Sequence, residues 1–150
     1  MSVSARCLRL AEQWTASTAA EVEAAKALRA TGQSWGQVYW HAGFAVEQIL
    51  KAIRIKREGL EEWPAGDRGA KWHDLEFLAD LVIKDELRAG CRANITFEAY
   101  WLTVRDWSHE RRYPGDTNPV TRKDGLDLLL AVANQQNGVM RWLQEFYQSI

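Results

Sequence analysis

Residues 35–58 read WGQVYWHAGFAVEQILKAIRIKRE, and this stretch decides the fold. Val38, Ala42, Ala45, Val46, Ile49 and Ile53 recur at spacings of three and four, so a helix would gather them into one core-facing stripe. The alternation a strand would need is missing. Ser34 stands where an N-cap belongs, and Gly59 stands where the chain leaves the helix. Glu47 and Lys51, four apart in the favourable order, can pair on a neighbouring face.

Working outward, ASTAAEVEAAKALRA (residues 16–30) is dense in strong helix formers and stops at Thr31-Gly32. It predicts one long helix over residues 4–30, with a kink left open near Thr15, Ser17 and Thr18. GLEEWPAGDRGAKW (59–72) carries three glycines and Pro64 and reads as a loop. His73-Asp74 then opens a third helix to about Lys84, with Leu75, Leu78, Leu81 and Val82 inward. A fourth helix runs from Asn94 to Trp107 or Glu110 and ends before Tyr113-Pro114-Gly115-Asp116. Thr121 caps a last helix over 122–148, with Leu126, Leu129, Leu130, Val132, Ala133, Met140, Leu143 and Phe146 on its apolar side. The expected fold is all-α, an up-and-down antiparallel bundle of four to five helices in a single domain over residues 1–150.

At 150 residues with 47% hydrophobic and 26% charged side chains, the composition is that of a globular domain rather than a disordered chain. Eight tryptophans exceed what one small core usually needs, so some either fill gaps between helices or mark an interface. The net charge of −1 offers no global attraction for nucleic acid, so any anion site must be a local patch. Cys7 and Cys91 have no partner spacing and read as idle thiols in a reducing cytoplasm. The opening MSVSARCLRLAEQW lacks a signal-peptide apolar run, and no segment has bilayer-spanning length, so the expectation is a soluble, cytoplasmic chain with no membrane contact. Three dispersed histidines and two dispersed cysteines give no metal-ligand spacing, and no phosphate loop, GxSxG elbow or HExxH appears; no metal and no cofactor are expected.

Three pieces, AVEQILKA (45–52), His73-Asp74-Leu75 and Arg112-Tyr113-Pro114, stand in an order and spacing that resembles the HEPN domain family (higher eukaryotes and prokaryotes nucleotide-binding) over residues 15–148. The resemblance implies an antiparallel helical bundle, commonly a homodimer. It also implies nucleotide or RNA binding beside a nucleotidyltransferase-type antitoxin partner in toxin–antitoxin or defence settings. Many HEPN domains are metal-independent endoribonucleases that use an Arg, four to six residues, then a His. The nearest match here, Arg105-Asp106-Trp107-Ser108-His109, has three intervening residues, and the tyrosine that can follow the His by two is replaced by Arg111. The resemblance therefore supports binding ahead of catalysis.

The candidate catalytic pair is Arg105 and His109, which would share one face if the fourth helix reached residue 109. The imidazole would move a proton and the guanidinium would stabilise phosphate charge. The competing role is an exposed polar face with Arg105 paired to Asp106. Candidate nucleotide- or RNA-binding residues are Lys51, Arg111, Arg112 and Tyr113, the last three offering two guanidiniums beside an aromatic ring. Lys51, Arg54, Lys56 and Arg57 read as a solvated basic face at the helix exit. His73 is expected to hydrogen-bond locally, and His41 to be a satisfied core or interface histidine among Tyr39, Trp40 and Phe44. A third role, protein-interaction module without nucleic-acid binding, would use a tryptophan-rich face.

Overall fold

In the computed structural model, which describes residues 2–32, 34–111 and 118–150, the 35–58 stretch is one helix and the axis of the molecule. The chain forms α1 (Ala5–Thr31), α2 (Trp35–Glu58), α3 (Leu75–Ala93), α4 (Ile95–Arg105), α5 (Arg122–Ala133) and α6 (Val139–Ser149), with a 3-10 turn at Ala70–His73. Among the described residues there is no strand, and no helix is long and apolar enough to cross a membrane. The fold is all-α, as the periodicity predicts.

Helix α1 is continuous: the Ser4 side chain accepts from the Cys7 amide, and the helix runs unbroken past Thr15–Thr18. Both α1 and α2 end on glycines at φ 66°, the left-handed turn that lets a terminal amide reach back to helix carbonyls. Helix α2 packs against α1, α3, α5 and α6, and every residue from Ala45 to Ile55 is buried. The main core draws residues from all six helices. A smaller cluster of Cys7, Ala11 and Ile55 closes the start of α1 onto the end of α2.

Four boundaries differ from expectation. Ser34 precedes α2 but makes no side-chain cap bond. Helix α3 continues to Ala93 through a non-helical Ile83 (φ −143°, ψ 24°). That kink resets the helical phase, so Ile83 and Leu87 carry the buried stripe onward. Leu81, expected inward, lies before the kink and about 100° round the helix from Val82, and is exposed. The last helix is two. Asn134 turns the chain out, its side chain accepting from the amides of Gln136 and Asn137, and a Cβ on Gly138 would meet the Asn134 carbonyl oxygen at 2.3 Å. Of the consecutive leucines 128–130, Leu128 and Leu129 are buried and Leu130 is exposed, because neighbours 100° apart cannot all face one core.

Helix α4 stops at Arg105, short of the expected Trp107 or Glu110. The Trp107 indole drops onto Gly43 of α2, where a Cβ would lie 2.2 Å from its Nε1. Nε1 donates to the Tyr39 carbonyl (3.1 Å), and the Tyr39 hydroxyl accepts from the Ser108 amide (3.0 Å). These bonds replace helical ones and draw residues 107–109 onto α2. Gly43→Ala is expected to force the buried indole out of its notch at a cost of about 1–3 kcal/mol. A urea titration checks this through a lower midpoint at unchanged slope.

Candidate functional site

On α2, Glu47, Lys51, Arg54 and Glu58 follow one another at spacings of four, three and four, on the side away from the apolar stripe. Such a face normally meets water. Here Glu47 is 1% exposed, Lys51 6% and Arg54 8%. The cover is the 59–73 segment, whose Trp63 and Trp72 lie over the stripe. Burying charge this deeply is tolerated only with partners.

Each charge has them. The Glu47 carboxylate accepts from Lys51 Nζ (3.0 Å) through one oxygen and from His73 Nδ1 (2.9 Å) through the other. The Lys51 ammonium also lies over the rings of Trp14 (5.5 Å) and Trp63 (5.3 Å). Arg54 is held between Trp63 and Trp72, 4.8 Å from each ring centre. It donates to Glu58 (2.6 Å) and Asp67 (2.7 Å). Burial opposes the Arg54 charge, but those two carboxylates outweigh it and raise its pKa.

The solvated basic face at the exit of α2 is thus corrected at Lys51 and Arg54, while Arg57 is exposed as expected. Lys51 and Arg54 are buried, Lys56 donates to the Tyr147 carbonyl (3.0 Å), and Arg57 binds Glu86 (2.9 Å) and the Val82 carbonyl. His73 likewise bonds Glu47, 26 residues away, rather than a local group. His41 is half-buried, its Nδ1 bonded to the Glu21 carboxylate of α1 and its ring edge-on to Trp40.

The stripe ends at an open edge. The rings of His73 and His109 lie 4.6 Å apart at 32°, and Trp107 backs His109 at 6.4 Å. Both imidazoles are half-exposed. With His73 Nδ1 committed to Glu47, its Nε2 points its chemistry elsewhere, and His109 makes no hydrogen bond among the described residues. One imidazole is oriented by a buried carboxylate, and the second, among the described residues, makes ring contacts alone.

Arg105 and His109 do not share a helical face, since α4 ends at Arg105 and the chain turns with Trp107. Arg105 makes one long ion pair, 3.9 Å to Asp106, and lines a groove of about 420 Å³ between α3 and α4 whose walls include neither His73 nor His109. Arg111 is committed internally. It donates to Asp124 (2.9 Å) and to the carbonyls of Asn118 (2.9 Å) and Pro119 (3.1 Å), and lies over the Tyr39 ring (5.1 Å). Arg112 and Tyr113 lie outside the described residues. Among the described residues no group of three or more His, Cys, Asp or Glu side chains is placed to hold a metal ion. The Cys7 thiol is buried, donates to the Ile55 carbonyl (3.2 Å), and is pushed up by burial.

No family model, curated protein or solved structure matches the chain. The functional reading therefore rests on the residues themselves. Sequence reasoning missed the Glu47–His73–His109 line. Its one available signal was Trp63 and Trp72 in the 59–72 loop, since indoles in a supposed loop have something to cover.

Glu47→Ala is expected to destabilise the fold by about 3–5 kcal/mol by leaving the buried Lys51 charge unpaired, and chemical denaturation measures it. Asp124 yields a pH dependence. The Thr121 amide holds its carboxyl below the usual range, opposed by burial and assisted by Arg111. A folded-state pKa below the unfolded one contributes stability that is present above about pH 4 and is lost as pH falls through the folded value. Asp124→Asn should flatten that part of the acid limb in a stability–pH profile.

Proposed function

We propose that the chain is a HEPN-type helical domain that binds a nucleotide or RNA at its His73–His109 edge. In this reading it works as paired copies beside a nucleotidyltransferase-type antitoxin in a cytoplasmic toxin–antitoxin or defence system. The observation that carries the ligand part is the half-exposed imidazole pair, 4.6 Å between rings, with one ring braced by buried Glu47. Imidazole N–H groups donate to phosphate oxygens, and ring faces stack on bases. The HEPN and partner assignments are supported by the AVEQILKA, His73-Asp74-Leu75 and Arg112-Tyr113-Pro114 pieces.

The same pair favours one second reading, a metal-independent endoribonuclease. One imidazole would take the proton of an attacking 2′-hydroxyl while the other returns a proton to the leaving 5′-oxygen. This differs from the Arg105–His109 pairing that the HEPN resemblance suggests, because His73 replaces Arg105 as the neighbour of His109.

Purified protein, titrated with labelled single-stranded RNA and with nucleotides, should bind with an affinity that falls as salt rises. His109→Ala, which removes no structural hydrogen bond, should weaken binding at least about tenfold while leaving the circular-dichroism spectrum unchanged. Absence of binding at low ionic strength removes the binding role. RNA cleavage in EDTA that disappears in His109→Ala promotes the enzyme, and intact RNA with wild-type protein eliminates it.

A further inference from the structure

The groove between α3 and α4 carries an unusual set of charges. Along α3 its wall reads Glu76, Asp80, Lys84, Arg88, Arg92, two acids followed by three bases at intervals of four. All five are exposed and, among the described residues, none makes an ion pair. On α4 the wall reads Glu98, Leu102, Arg105, again acid before base. Among the described residues Glu98 makes no ion pair, and Arg105 makes only its 3.9 Å contact with Asp106. Elsewhere the protein pairs charges one turn apart, as at Lys51–Glu47, Arg54–Glu58, Lys123–Asp127 and Arg141–Glu145. Asp80 and Lys84 have the same spacing but stand on either side of the Ile83 kink, and they do not.

The order of these charges is self-complementary. Positions 76 and 92 are equidistant from 84, as are 80 and 88. A second copy docked antiparallel about a two-fold axis across the middle of the groove sets Glu76 against Arg92 and Asp80 against Arg88. A two-fold interface is built this way, because every contact made by one copy is returned by the other. Lys84 falls near the axis, where its flexible stem can turn from its own mate towards either Asp80. Leu102, 41% exposed, supplies an apolar contact inside the polar rim.

We propose that the α3–α4 groove is the surface through which two copies of this chain pair, in an antiparallel arrangement set by that charge order. The proposal rests on the paired-copy part of the functional reading and names its face.

Sedimentation or light scattering over a concentration series tests it. The wild type should dimerise, and more weakly as salt rises. Asp80→Arg alone and Arg88→Glu alone each turn two attractive pairs into two repulsive ones, and each should raise the dimer dissociation constant at least about tenfold. Mixing the two variants should restore dimers, since Arg at 80 of one copy then faces Glu at 88 of the other. The double variant Asp80→Arg/Arg88→Glu should pair with itself for the same reason. A wild type that stays monomeric at about 0.1 mM protein overturns this face and the paired-copy reading together. A dimer indifferent to both single substitutions, or single variants that fail to recover on mixing, overturns the face and leaves two-copy assembly through another surface. RNA binding is scored separately and is untouched by either result.

Discussion

A carboxylate at 1% exposure in the middle of a helix is the constraint that organises this molecule. Glu47 has no water to solvate it, so its two oxygens must find donors, and the two it finds lie in different parts of the chain. Lys51 comes from the same helix and brings a second charge into the interior. That charge needs its own surroundings, supplied by the faces of Trp14 and Trp63. Arg54 repeats the arrangement one turn on between Trp63 and Trp72. The long connection from α2 to α3 is therefore a lid whose tryptophans and Asp67 answer needs set by α2.

The histidine edge follows from the same helix by two routes. Glu47 fixes His73 from below, while Gly43 and Tyr39, one and two turns earlier, fix Trp107 and Ser108 and so deliver His109. The imidazoles are 36 positions apart in sequence and meet because α2 holds a partner for each. Such bracing suits a site that must keep its geometry without a ligand present. Arg111, gripping Asp124 and lying over Tyr39, ties the start of α5 to this frame.

The helices were legible because their signals are local. The three-four spacing of Val38 to Ile53, the alanine-rich run before Gly32 and the Thr121 cap, closed by Asp124 into a reciprocal pair, each act within a few residues. What was not legible depends on distant contacts. Nothing near Lys51 announces that Trp14 and Trp63 will enclose it, so amphipathic logic assigned it to water. Likewise α4 looks able to continue to residue 109 until Gly43, in another helix, offers a notch for Trp107. The Asn134 break was visible only as a polar interruption, NQQNG, in an otherwise apolar pattern. The site therefore differs from expectation more than the fold does. Its charged and aromatic residues are the expected kinds, but their partners are chosen by tertiary structure.

The interlocked triplet Glu47, Lys51 and His73 also limits how this chain can diverge. Loss of the acid strands the base, and loss of the base strands the acid, so single exchanges at either position pass through a poorly folded intermediate. An apolar replacement of all members together has no such barrier, because a filled hydrophobic interior of equal volume needs no counter-charges. The three positions therefore behave as one heritable character, kept whole or given up whole. A descendant that kept the helices but had shed the triplet would have lost the support of its histidine edge in the same step.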